Sequence, residues 1–448
     1  MVRNVLLVTV DSLRFDAAAR LASERDSALS MLAAEGVWFS QAFTTGPGTT
    51  SSFPGILTGT LPLSHGGLGP LSSTRPRLSE AFQRAGYDTG GFQCNPFLST
   101  HFNYDRGFET FEDYQHPLMG VATRLFPRGI ELNNPALRRV DDVLRVTDVV
   151  KKVYQLVRGK PRPYVGAEVI TDDALAWFER RDRFFCWVHY MDVHHPCFPP
   201  ESYRKLFDAA DVNQAAVSEW YSKLVRNPDA LGEDELAALE RLYEAAVAYT
   251  DDQIGRLIDS LRTNDRLKDT LVVFTSDHGE LFGEHGQYSK PERLYDELLH
   301  VPLVVVNGPD YLSDATDGLV SLLDIPPLVH DAAGLDSLPE YEGRRPGVDA
   351  PRELILAEHE VEGDVIVGGR SAGWLYEFDE IRDERRLFDM RGDASEEPVD
   401  LNEESARLVS TVRERVRTVT EQDRDIDPVT DPMLTADVED RLEELGYR

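Results

Sequence analysis

TLVVFTSDHGE, residues 270–280, is the stretch on which the fold turns. Its first half, Thr270 to Thr275, is an apolar, β-branched run without polar alternation, the pattern of a strand buried on both faces of a parallel sheet. The polar run Ser276-Asp277-His278-Gly279-Glu280 begins where that strand ends. Ligands of parallel α/β sheets bind beyond the carboxyl ends of the strands. The junction is therefore both a strand boundary and a candidate site.

Two further junctions have the same form. VLLVTV (5–10) ends in Asp11, and FFCWVHY (184–190) leads through His189 to His194-His195-Pro196. Strands are expected at 4–10, 88–93, 184–190, 270–275 and 301–306. Helices are expected at 24–35, 52–59, 77–86, 167–180, 232–262 and 319–333. Such alternation predicts an α/β fold with a mostly parallel central sheet flanked by helices. From about residue 351 the pattern becomes ELILAEHE, DVIVGG, GWLYEF and RRLFDM, short strands with glycine turns that predict a small antiparallel subdomain. The expected organisation is an α/β domain over 1–350, an antiparallel subdomain over 351–400 and an acidic helical tail over 401–448.

The 448 residues carry 79 acidic and 47 basic side chains, a formal net charge of −32. That balance argues against nucleic-acid binding, which needs a cationic face. Only seven of the basic residues are lysines. A diffuse acidic excess with scarce lysine resembles proteins of salt-adapted organisms, where hydrated carboxylates maintain solubility and salt screens their repulsion. One segment departs from this background: between Arg124 and Arg162 ten basic residues face four acidic ones, at helical apolar spacing. It reads as a helical insertion, neutralising the acidic body or facing an anionic partner.

Cys94, Cys186 and Cys197 fit neither a zinc pattern nor a disulfide framework, so free buried thiols in a reducing compartment are expected. The N-terminal apolar run is too short for a signal segment, and no stretch is long enough to span a bilayer. A cytoplasmic location is the expectation. Oligomeric state has no readable code.

Asp11, Asp277 and His278 offer two oxygen ligands and one nitrogen ligand to a divalent cation, which would also offset the repulsion between the carboxylates. Each alone reads equally as a helix cap or a satisfied loop residue. A further segment shifts the balance: Gly46-Pro47-Gly48-Thr49-Thr50-Ser51-Ser52-Phe53-Pro54-Gly55. Hydroxyls before a proline-containing helix are ordinary capping chemistry. A helix N-terminus also presents free N–H groups and positive dipole to an oxyanion, phosphate or sulfate. A hydroxyl there, beside a cation, is an activated nucleophile.

Taken together these motifs resemble the sulfatase family of the alkaline phosphatase superfamily. NVLLVTVDSLRFD resembles the family's N-terminal metal strand, TSSFPGILTGTLPLSHG its nucleophile helix, and LSEAFQRAGYDTGGF the usual sequel. RGFETFED, FFCWVHYMDVHHPCFPP, VAYTDDQIGRLIDSL, FTSDHGELFGEHGQYSK, LLHVPLVVV and RRLFDMRGD follow in family order. The resemblance covers roughly residues 3–400, with 115–165 unmatched.

The resemblance implies one divalent ion on Asp11, Asp277 and His278, with the nucleophile, Thr49, as a further ligand. It implies contact of His194 with the bound anion or leaving group, and an anion-binding role for Lys290. Arg14 and His285 are candidates for substrate support; His65 and His300 are structural. Ca²⁺ is the sulfatase default and Mn²⁺ fits the single-metal transferases, with Mg²⁺ and Zn²⁺ open. A second metal has only His359 and Asp251/Asp252 to draw on, without convincing spacing.

The departures carry information. Family sulfatases carry Cys or Ser, matured to formylglycine, within Cys-x-Pro-x-Arg. Here Thr49, Ser51 and Phe53 occupy those places, so no formylglycine is expected, and the usual Asp-Asp pair is Asp11-Ser12. An aldehyde hydrate expels sulfate by elimination, whereas a threonine adduct must be cleaved by water or an acceptor alcohol. Phosphoester chemistry is therefore the favoured expectation. A true sulfatase using Thr49, and a non-catalytic member that binds anionic glycans, are the alternatives.

Overall fold

The computed structural model describes residues 2–24, 26–114, 164–392 and 397–421. The expected basic insertion at 124–162 and the end of the acidic tail lie outside the described residues.

Seven strands form the central sheet, in the order Val37–Phe39, Leu303–Val306, Thr270–Ser276, Asn4–Val10, Phe184–Tyr190, Asp88–Phe92, Thr110–Glu112. The five from Thr270–Ser276 to Thr110–Glu112 run parallel, and Leu303–Val306 is antiparallel to its neighbours on both sides. The sheet is thus mixed and mostly parallel, as the apolar runs predicted.

Both faces of the sheet are covered, which explains the absence of polar alternation in its central strands. Leu6, Val8, Cys186 and Val188 enter one core cluster, packed with Ala167–Phe178, Gln214–Arg226 and the long helix Glu233–Thr263. Val5, Leu7, Phe185 and Trp187 face the other cluster, with Thr49–Thr58, Leu78–Arg84 and Ile325–Ala333. Each such fully buried aliphatic side chain contributes roughly 1.5–3 kcal/mol of transfer free energy. Because the central strand is clamped from both sides, the groups at its end are held rigidly.

The C-terminal sheet is an antiparallel meander of Leu354–Val361, Asp364–Ser371, Trp374–Asp379 and Glu384–Asp389. One face packs on the body through Ile355, Ala357 and Ile366 beside Phe43, Leu281 and Leu294. The other face, with Val365, Val367 and Tyr376, is covered by Leu408, Val409 and Val412 of the helix Ala406–Glu421.

Some elements differ from the sequence expectation. The helix expected at 319–333 is three elements: a short strand, the 3-10 turn Leu322–Asp324 and an α-helix. Val320–Ser321 pairs as a strand with Ala42–Phe43, and the α-helix runs from Ile325, where Pro326 and Pro327 fit a first turn that needs no N–H donors. The helix expected at 24–35 begins at Ala28 behind the Ser27 cap. Helices at Phe15–Glu24 and Gln214–Arg226 are additional. No helix among the described residues is long and apolar enough to cross a membrane.

Candidate active site

Register brings the first two acids together. Val10 pairs with Tyr190 on one side and Ser276 on the other, so Asp11 and Asp277 each stand one residue past the same row. The backbone continues the ladder there: Asp11 N–H donates to Tyr190 O at 2.8 Å, and Asp277 N–H to Val10 O at 3.3 Å. His278 follows, and the chain then passes so close to Glu297 that a Cβ on Gly279 would lie 1.9 Å from the Glu297 carbonyl oxygen. Only glycine fits.

Ser12 adopts a left-handed φ of 61° directly after the strand. That turn points its N–H at Asp277 Oδ1 (3.2 Å) and its hydroxyl at Asp11 Oδ1 (2.9 Å). Where the family pattern has a second carboxylate, this chain has a donor that orients the first.

Asp11, Asp277 and His278 are fully buried, and one ligand atom from each lies within 4.8 Å of the others. His278 Nε2 is 3.6 Å from Asp11 Oδ1 and 3.6 Å from Asp277 Oδ2. Its Nδ1 is 2.8 Å from Gly279 O, a carbonyl that can only accept, so Nδ1 carries the proton and Nε2 presents its lone pair. Burial, reinforced by Lys290, lowers the His278 pKa to about 4 and keeps the ring neutral. Burial and the adjacent Asp11 carboxylate drive Asp277 well above the usual carboxyl range. Burial pulls Asp11 upward as well, but His194, His189 and Lys290 hold it below its ordinary value. Asp277 Oδ2 and His278 Nε2 are buried without a hydrogen-bond partner. Two orphaned donor atoms beside a pair of buried carboxylates fit a divalent cation.

Thr49 opens the helix Thr49–Thr58, whose side-chain positions from Ser51 to Thr58 are buried. Its hydroxyl donates to Asp11 Oδ2 at 3.3 Å, and Asn95 Nδ2 reaches both Asp11 Oδ2 (2.9 Å) and Thr49 Oγ1 (3.4 Å). First-turn N–H groups of a helix lack intrahelical acceptors, and Gly48, Thr49 and Thr50 line a cavity of about 240 Å³. Phe53 turns its ring edge to His189, with centroids 5.0 Å apart, and packs against Trp187. The position where the family pattern has arginine is therefore apolar.

Lys290 and His195 line the same cavity. Lys290 Nζ is 2.6 Å from His194 Nε2, while His194 Nδ1 lies 2.5 Å from His195 O. Nδ1–H donates to the carbonyl, so Nε2 accepts from the ammonium. Burial and Lys290 lower the His194 pKa well below its ordinary value.

Of the residues anticipated from sequence, Asp11, Thr49, Asp277, His278, His194 and Lys290 converge here. Arg14 and His285 are engaged elsewhere. Arg14 pairs with Asp16 (2.9 Å) and Glu284 (2.6 Å), and His285 stacks on Tyr295 at 4.0 Å and meets Glu297 at 3.1 Å. His300 stacks on Phe15, and His65 meets Thr74. Asp251 caps the helix Ala28–Glu35 through the N–H groups of Ala28 and Leu29. Asn95, absent from the sequence expectations, stands just past strand Asp88–Phe92, at the same carboxyl edge as Asp11. That strand-end position was the signal available.

Comparisons with known proteins agree with this architecture. The family model described as Sulfatase matches residues 3–335. An arylsulfatase of Clostridium perfringens is 24% identical over 409 residues, covering 83% of this chain and 82% of its own. A choline-sulfatase of Rhizobium meliloti is 26% identical over 402 residues, covering 82% and 76%. Among solved structures, a phosphonate monoester hydrolase from Silicibacter pomeroyi aligns with a TM-score of 0.66 at 21% identity, covering 93% of this chain and 95% of its own. A protein solved with its substrate D-glucosamine-2-N,6-O-disulfate aligns with a TM-score of 0.69 at 17% identity, covering 95% and 100%.

Proposed function

Since the chain belongs to the sulfatase family of ester hydrolases, we propose that it is a metal-dependent hydrolase or transferase of phosphate and sulfate esters, with unmodified Thr49 as nucleophile and phosphoesters preferred. The observation that carries this reading is the Thr49 hydroxyl, 3.3 Å from Asp11 Oδ2 at a helix N-terminus that opens on the cavity.

Asp11, Asp277, His278 and Thr49 would hold one divalent cation. Bound there, such an ion supplies Lewis acidity to the ester oxygens and lowers the pKa of the threonine hydroxyl. Ca²⁺ and Mn²⁺ both suit the mixed carboxylate–imidazole set.

With its proton lost to solvent, Thr49 Oγ1 attacks the phosphorus or sulfur in line, forming a Thr49 ester as the bond to the alcohol oxygen breaks. Asn95 keeps Oγ1 in place, and the N–H groups of the first turn face the nonbridging oxygens. The Lys290 ammonium stabilises charge on the departing oxygen and can give it a proton, with His194 fixing its position. Water, or an acceptor alcohol, then cleaves the Thr49 ester and restores the hydroxyl. Oxidation of this secondary alcohol would yield a ketone, so the aldehyde hydrate of a formylglycine is not available to it. An adduct resolved by direct displacement suits phosphoryl transfer better than sulfuryl transfer, which favours phosphoesters.

The test is a panel of aryl sulfate, phosphate monoester and phosphodiester substrates, with Ca²⁺ or Mn²⁺, at low and high salt. Wild-type protein should turn over phosphoesters fastest, and Thr49→Ala should lose about a thousandfold or more. Full activity of Thr49→Ala on every ester rejects the reading. Faster turnover of sulfates would identify a sulfatase using Thr49. A marked gain in activity and stability with salt is expected from the −32 charge; indifference to salt would count against salt adaptation.

A further inference from the structure

The strand Leu354–Val361 alternates strictly between two environments. Leu354 and Leu356 pack with the C-terminal helix, and Glu358 accepts from Arg415 Nη2 of that helix at 3.2 Å. Ile355 and Ala357 face the α/β body. Successive side chains of a strand point to opposite faces, which puts His359 in the body-facing row. Its cross-strand partner Ile366 lies in the body-facing cluster too. At His359 that row runs out of apolar core and reaches the cavity containing Thr49 and Lys290.

The strand is also fastened to the loop that delivers Thr49. Glu358 N–H donates to Thr45 O at 2.8 Å, and a Cβ on Gly46 would meet the Glu358 carbonyl oxygen at 2.6 Å. His359 is therefore fixed relative to the nucleophile although it belongs to a different sheet.

The ring enters the site with unspent hydrogen-bonding capacity. Its Nδ1 is buried and has no partner among the described residues. Leaving a buried polar atom unpaired costs about 1–3 kcal/mol, a cost relieved if a ligand supplies the partner. Burial lowers the pKa to about 4, so at neutral pH the imidazole is uncharged, with one N–H and one lone pair. An uncharged ring brings no positive charge to an anionic oxygen, whereas a hydroxyl, donor and acceptor in one atom, satisfies Nδ1 in either tautomer. Phe97 and Val225 give the same cavity apolar walls.

We propose that His359 is a specificity-determining residue that hydrogen-bonds a hydroxyl on the alcohol side of the ester substrate. The inference rests on the catalytic reading above. It assigns the anionic oxygens to the metal side of the cavity and a hydroxylated organic group to the side formed by the C-terminal sheet.

Matched esters differing by one hydroxyl test it: nitrophenyl against nitrocatechol, and propyl against glycerol, each as phosphate and as sulfate. The ratio of kcat/KM for the hydroxylated over the plain ester is measured for wild type, His359→Gln and His359→Phe. Melting temperature confirms that each variant folds. In at least one pair the wild-type ratio should exceed that of His359→Phe by about tenfold, the discrimination given by one unsatisfied polar contact, with His359→Gln between them. Equal ratios in all three proteins, for every pair, overturn the inference while leaving the catalytic reading standing. A wild-type enzyme that turns over no ester in the panel overturns the catalytic reading and this inference with it.

Discussion

Lys290 Nζ stands 2.6 Å from His194 Nε2, with the other ring nitrogen of His194 held by the His195 carbonyl at 2.5 Å. A neutral imidazole and an ammonium thus form one unit at the cavity wall. The charge belongs to Lys290, and His194 aims it.

Replacing Lys290 by Met should lower kcat about a hundredfold, on the scale of one lost electrostatic contact in a transition state. It should also raise the pKa of His194, because the nearby ammonium is, after burial, the largest of the effects depressing it. An NMR pH titration of the imidazole checks the second point. An unmoved His194 resonance in Lys290→Met would separate the two residues functionally.

Asp11 and Asp277 repel each other in a buried site, so the metal-free and metal-bound proteins should respond oppositely to Asp277→Asn. In chelator the variant should melt at or above the wild-type temperature, since the costly second carboxyl is gone. With saturating Ca²⁺ or Mn²⁺ the order should invert, because wild-type protein gains about 2.7 kcal/mol at a hundredfold excess over Kd. Differential scanning calorimetry with and without chelator gives both comparisons.

His359 should contribute a pH-dependent term to stability. Its folded pKa of about 4 lies below the ordinary value of 6.5, so between those values the unfolded chain binds more protons. Stability from this group is complete above 6.5 and is lost as pH falls toward 4. The melting temperature of wild-type protein should drop by a few degrees more than that of His359→Gln over this window. Parallel curves would mean that the ring is not buried in the neutral form.

Arg415 on the C-terminal helix meets Glu358, whose side chain is fully buried and also accepts from Leu63 N–H at 2.9 Å. Removing one partner of a buried ion pair costs about 3–5 kcal/mol. Arg415→Met should therefore destabilise strongly in denaturant titration, and Arg415→Met with Glu358→Met should recover much of the loss.

The metal-ligand part of this site was legible in the sequence because its residues follow directly from the ends of apolar runs. Asp11 and Asp277 sit one residue past buried strands, and parallel register makes them neighbours without further information. Thr49 was legible because glycine, proline and hydroxyl residues mark a helix start. Asn95 follows a strand too, but Gln93-Cys94-Asn95 has no spacing that distinguishes a hydrogen-bond anchor from a loop residue. His359 was visible only as a histidine in a strand. What gives it meaning is long-range packing of the C-terminal sheet against the Thr45–Gly48 loop, which no local pattern encodes. The same limit affected Val320 and Ser321, whose helix-like apolar spacing yielded to pairing with Ala42–Phe43. Arg14 has the charge for an anion site, yet its guanidinium is already bound to Asp16 and Glu284, and sequence cannot show a charge already paired.

In the proposed mechanism unmodified Thr49 becomes covalently esterified during turnover. Acid quenching of the metal-loaded enzyme during steady-state turnover of an aryl phosphate and an aryl sulfate, followed by peptide mass spectrometry, tests it directly. One added phosphoryl or sulfuryl group is expected on the peptide spanning Gly48 to Thr58, located on Thr49 by fragmentation and absent from Thr49→Ala. Turnover with Thr49 unmodified throughout, or with the added group on another residue, would contradict it.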